Sequence, residues 1–137
     1  MFRYHRRMRE VRVRWGSGKF GQDVAVVGHT LRADEVSEKG GDDTGPAPHE
    51  LLLAALGSCT AMTLKVYAER KGWPLRDVHV TLNGDSTPGR LAITRQLDFE
   101  GDLDAEQRQR LIEIADKCPV HRSLTGELTI TNVEGKA

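Results

Sequence analysis

The sequence predicts an α+β domain, in which short antiparallel strands precede a long apolar helix and a hairpin separates that helix from a second, shorter one. Three features carry the prediction. Apolar and polar residues alternate around Val11–Val13–Trp15 and again around Val78–Val80–Leu82, which is the period of a strand. A helical block opens at Pro48 and runs to about Gly72. A capping-box pair, Asp104 and Gln107, starts another helical pattern. At 137 residues the chain suits one hydrophobic core, so a single domain over 1–137 is expected.

The first strand covers Arg9 to Trp15, with Val11, Val13 and Trp15 on a buried face and Arg12 and Arg14 on the other. Gly16, Ser17, Gly18 and Gly21 mark a turn; Val24, Val26 and Leu31 then continue a meander, with Gly28 as a second turn. From Ser37 to Pro48 the glycines, aspartates and prolines are loop chemistry that stops pairing and leads to a helix. Proline suits the first helical turn because its missing N–H would lack a partner there, and Glu50 suits the positive field of the helix start. Gly72 can end this helix, with Pro74 just beyond. Leu52, Ala55, Cys59, Met62 and Val66 form one stripe, while Leu53, Leu56, Ala61 and Leu64 cover other faces. A helix apolar all round must be surrounded, and in a chain this small a second copy is expected to cover the remaining side.

Val78, Val80 and Leu82, a turn at Asp85 to Gly89, and Leu91, Ile93, Gln96, Leu97 and Phe99 read as a hairpin. The second helix keeps helical spacing through Leu111, Ile114, Ala115 and Cys118 and is expected to end at Pro119. Leu128, Ile130 and Val133 suggest a last strand, with a frayed end from Gly135 to Ala137.

Lys+Arg and Asp+Glu number 20 each, so no excess charge favours a nucleic acid or an anionic membrane. The basic cluster Arg3, Arg6, Arg7, Arg9, Arg12 and Arg14 with His5 runs into Glu10 and a strand pattern rather than an apolar stretch; neither secretion nor a transit peptide is expected. The longest uncharged run, Leu51 to Leu64, is shorter than the roughly 18 residues that cross a bilayer, and a cytoplasmic location is expected.

Two cysteines without export signals leave metal ligation, redox chemistry or packing as their uses. Gly57 and Ser58 precede Cys59 and can loosen the helix to give access to its thiol. A reactive thiol also needs a lowered pKa, because the thiolate is the nucleophile. Cys59 lies about two turns inside the helix, so an arginine from another element is the expected source, with Arg32 and Arg14 as candidates.

The segments GPAPHELLLAALGSCTAMTLKVYAERKGWPL and ADKCPVHRSLTGELTI resemble the two cysteine motifs of the OsmC/Ohr family, and the order of elements and the 59-residue spacing of the cysteines agree. The resemblance implies an OsmC-like fold: an N-terminal meander, a long central helix, a hairpin, a second helix and a final strand, in an intertwined homodimer whose two central helices are wrapped by sheets. It implies a thiol peroxidase of small-molecule hydroperoxides, preferentially organic ones. Cys59 matches the peroxidatic cysteine and Cys118 the resolving one. In the family an arginine and a glutamate hold the first sulfur as thiolate, the glutamate ten positions before it and directly after a proline. Here that position is His49, and Glu50 stands one place on, turned by about 100° around the helix. The departure points to the OsmC-like branch. Catalytic candidates are therefore Cys59, Cys118, Arg32 and Glu50. The disulfide is reduced in the family by an external dithiol, often a lipoyl group, and no metal or bound cofactor is implied.

Two other readings use the same residues. Cys118 and His121, completed by Cys59 or His49, have ligand-like spacing for a metal. Alternatively, a dimer cleft binds a small apolar ligand and the cysteines sense oxidation without turnover.

Overall fold

The computed structural model describes residues 7–135, so Arg3, His5 and Arg6 of the basic cluster, and Lys136 and Ala137 of the expected frayed end, lie outside it. The chain forms two compact units, one up to Ala54 and one from Ala55.

In the first unit, β1 (Val11–Trp15), β2 (Gln22–Val26) and β3 (His29–Ala33) make an antiparallel sheet in that order. The turn between β2 and β3 has two residues, and Gly28 at φ 80° takes the left-handed conformation that such hairpin turns need. Register places Val13 opposite Val24 and Val24 opposite Leu31 on one face, and Arg14 opposite Asp23 and Asp23 opposite Arg32 on the other. The sequence reading buried the apolar face, yet Val11, Val13, Trp15 and Leu31 are exposed. A sheet face is buried only when another layer covers it, and among the described residues of this unit none does.

The loop after β3 is organised by Asp34, which is only 2% exposed. Its carboxylate accepts the Glu35 N–H at 2.7 Å, the Thr44 N–H at 3.0 Å and the Thr44 hydroxyl. These donors, the Thr44 hydroxyl foremost, pull its pKa down to about 2. The loop hands the chain to α1 (Pro48–Lys71), where Glu50 accepts the Ala47 N–H at 2.7 Å. Gly72, at φ 68°, ends the helix as expected.

Helix α1 is 24 residues long with a mean hydropathy of 1.5 over its most apolar window, enough to cross a membrane by length and composition, where the sequence reading counted only the shorter uncharged run. The core helix of a water-soluble fold meets the same criterion. Its buried side is Leu56, Gly57, Thr60, Thr63, Leu64 and Ala68, whereas Met62 of the expected stripe is exposed. A helix apolar on every side carries no phase in its sequence, so packing alone selects the buried face.

In the second unit, β4 (Leu75–Thr87) and β5 (Arg90–Gly101) form a long hairpin whose turn is just Pro88–Gly89, with Gly89 at φ 75°. One face of the hairpin packs Leu75, Val78, Leu97 and Phe99 against Leu64 and Tyr67 of α1 and against Leu111, Ile114 and Ala115 of α2 (Ala105–Ala115). Helix and hairpin approach closely at Gly57, where a β-carbon would stand 2.7 Å from Leu82 Cδ1. The capping box holds as predicted: Asp104 accepts from the Gln107 N–H and the Gln107 side chain accepts from the Asp104 N–H.

Two expectations fail here. Cys118 does not continue the second helix, and Pro119 does not end it: α2 stops at Ala115, and Pro119 opens a further helix, α3 (Pro119–Thr125), with Cys118 as its N-cap. A proline that terminates one helix is equally suited to the first position of the next. The last strand at Leu128, Ile130 and Val133 is also absent; these side chains are exposed, and among the described residues the segment has no strand partner. A strand exists only through a partner's hydrogen bonds, and an alternating pattern does not supply one.

Candidate active site

The fold of the second unit brings together two residues 59 positions apart. Cys59, on the α1 turn that starts at Leu56, and Cys118, at the start of α3, lie within hydrogen-bonding reach of each other, and both are free thiols. Their exposure differs: Cys118 is 0% exposed, whereas Cys59 is partly open.

The start of α3 supplies N–H groups to both sulfurs. The His121 N–H donates to Cys118 Sγ at 3.3 Å, and the Val120 N–H donates to Cys59 Sγ. These are amides that have no intrahelical acceptor, so a sulfur is a natural partner. Burial pushes the Cys59 thiol above its ordinary value, and Cys118 pushes it further through a shared hydrogen bond and through its charge once ionised; the Val120 N–H and the Thr63 hydroxyl pull the other way. The lowered pKa anticipated from the sequence is thus not met by the groups of this unit. A second sulfur in contact makes ionisation of Cys59 harder.

A polar network stands behind Cys118. Thr60, fully buried, has its hydroxyl 2.7 Å from the Leu56 carbonyl and 3.8 Å from Cys118 Sγ. Arg95 Nη1 donates to the Thr60 hydroxyl at 3.0 Å, while Nη2 donates to Asp116 Oδ1 at 3.0 Å and to His121 Nδ1 at 3.2 Å. A guanidinium has no acceptor, so His121 Nδ1 must offer its lone pair and the ring proton sits on Nε2. That arrangement also removes His121 Nδ1 from the metal set weighed from the sequence. Among the described residues, Asp77, His79 and Glu100 are the three potential ligands that do cluster, exposed on the outer face of the hairpin.

Arg95 escaped the sequence reading, although a signal was present. In β5 the inward positions are Leu91, Ile93, Arg95, Leu97 and Phe99, so an arginine occupies one place in an otherwise apolar row. Reading Gln96 into that row broke the phase and hid it. The other candidates lie in the first unit. Arg32 donates to Thr44 Oγ1 at 2.8 Å and to the Ser17 carbonyl at 2.8 Å, with Asp23 at 3.5 Å. Glu50 holds the helix start, and Arg14 faces Asp23 across the sheet.

The chain thus defines a class by its architecture: an α+β protein that folds a long helix onto a hairpin and sets two distant thiols side by side. The sequence profile of the OsmC-like protein family matches residues 40–132. The chain belongs to that family. No curated protein matches it. Solved structures share the fold: the OsmC-like protein of Mycoplasma pneumoniae at a TM-score of 0.74 and 16% identity, covering 88% of this chain and 89% of that one. The organic hydroperoxide resistance protein OsmC of Legionella pneumophila gives 0.73 and 19%, covering 90% and 93%. An OsmC-like protein of unknown function from Vibrio cholerae gives 0.69 and 15%, covering 89% and 96%.

Proposed function

We propose that the protein is a thiol-dependent peroxidase that reduces organic hydroperoxides. The observation that carries this reading is the contact between a partly open Cys59 and a sealed Cys118. The Cys59 thiolate attacks the outer peroxide oxygen; the O–O bond breaks, an alcohol leaves after protonation, and Cys59 becomes a sulfenic acid. Cys118 then displaces water to form the Cys59–Cys118 disulfide, and an external dithiol, of lipoyl type by family resemblance, returns both thiols by exchange.

Because Cys59 is held above its ordinary pKa by its own unit, the cycle needs a further cation at the moment of attack. Arg32, with Glu50 to orient it, is the pair we propose for that role, and Arg14 is the alternative. A cytoplasmic homodimer is part of the proposal; the uncovered apolar side chains Val11, Val13, Trp15 and Met62 support a second copy. The relative from Legionella pneumophila, named for hydroperoxide resistance, supports the substrate class.

The test is intact mass after one equivalent of cumene hydroperoxide. The expected result is loss of two hydrogens, converted by Cys118→Ser into a sulfenic acid on Cys59. An unchanged mass overturns the reading. It then favours the binding alternative, which one observation supports: a pocket of about 490 Å³ lined by Leu56, Leu91, Ile93, Leu97, Ile112 and Leu124, with Arg95 and His121 among its polar walls.

A further inference from the structure

The inward arginine of β5 stands out because a charged group in an apolar row costs free energy unless its donors are matched. The Arg95 side chain is 12% exposed, and three partners meet its guanidinium: Asp116, His121 and Thr60. Asp116 and His121 hold the outer nitrogen. The inner one points through Thr60 toward a sulfur.

Thr60 has one hydroxyl proton and two acceptors within range, the Leu56 carbonyl and Cys118 Sγ. With Cys118 as a neutral thiol, the nearer carbonyl keeps the proton. Once Cys118 carries charge, the thiolate competes for it, and Arg95 on the hydroxyl oxygen makes Thr60 a stronger donor. The positive charge thus lies one hydroxyl away from Cys118, with the His121 N–H as a further donor on the same sulfur.

Access adds the direction. Cys118 is sealed and Cys59 is partly open, so an incoming thiolate reaches the Cys59 sulfur of a disulfide between them. We propose that Arg95 is a positioning residue for the reductive half of the cycle: acting through the Thr60 hydroxyl, it makes Cys118 the departing sulfur. This rests on the thiol–disulfide reading above. In the step, a thiolate of the external dithiol bonds to Cys59 Sγ as the Cys59–Cys118 bond breaks, and its electron pair passes to Cys118 Sγ. The second thiol of the dithiol then displaces Cys59 and closes the reductant's own disulfide, so two electrons and two protons end on the cysteine pair. Exchange is faster when the leaving thiolate is better stabilised.

The experiment joins the cysteines with diamide, which needs no peroxidase activity, and follows reduction by dithiothreitol in a stopped-flow instrument. Thr60→Val and Arg95→Met are expected to slow reduction by about tenfold or more, and Thr60→Ser to restore the wild-type rate. Reduction rates within about twofold of wild type in both variants overturn the proposal. In the unaltered protein, a monothiol adduct trapped during reduction should map to Cys59; an adduct on Cys118 overturns the assignment even if the variants fail to fold. A pair that diamide cannot join overturns it as well. Diamide-formed disulfide without any oxidation by peroxide sinks the peroxidase reading and leaves the reduction test standing.

Discussion

Oxidation of the cysteine pair should stabilise the fold by an amount that follows from chain topology. A Cys59–Cys118 bond closes a loop of 59 positions. Loop-closure entropy for that length corresponds to about 4 kcal/mol at 25 °C, drawn from the unfolded chain. For 137 residues the unfolding entropy is about 0.29 kcal/mol/K, so the thermal midpoint should rise by about 14 °C on oxidation. The assay is thermal unfolding by circular dichroism with and without dithiothreitol, with Cys118→Ser as a control that cannot form the bond. Refutation is simple: oxidised and reduced protein unfolding within about 3 °C of one another, or Cys118→Ser showing the same reductant-dependent shift, means the sulfurs are not joined in the native fold.

Other outcomes follow from the same geometry. Iodoacetamide labelling of Cys59 should have its pH midpoint above that of an ordinary thiol, and Cys118→Ala should lower it, since the shared hydrogen bond and the charge of Cys118 are both lost while burial stays. The Asp34 carboxylate, held at about 2 against about 3.9 in an unfolded chain, stabilises the loop at neutral pH; that contribution is present above about pH 4 and is lost as the pH falls toward 2. Asp34→Asn should therefore melt below wild type at pH 7, and the two melting temperatures should converge near pH 2. Leu111→Ala, at a fully buried core position, should cost about 2–5 kcal/mol in urea unfolding.

Local pattern alone determined much of this protein. The three meander strands, the span of α1 from Pro48 to Gly72, the hairpin and the Asp104–Gln107 capping box all follow from spacing, turn residues and cap chemistry, which act between near neighbours in the chain. The two cysteines were also visible as candidates, and their family resemblance with them. What tertiary structure decided is everything that depends on a distant partner. The buried face of α1 could not be read from a helix apolar on all sides, and Pro119 could equally close one helix or open another. The strand pattern at Leu128 and Ile130 needs a neighbour that sequence alternation cannot provide. Only the folding of β5 against α1 and α3 put Arg95 behind Thr60 and sealed Cys118 while leaving Cys59 open, because exposure and charge proximity are properties of packing between segments far apart in the chain.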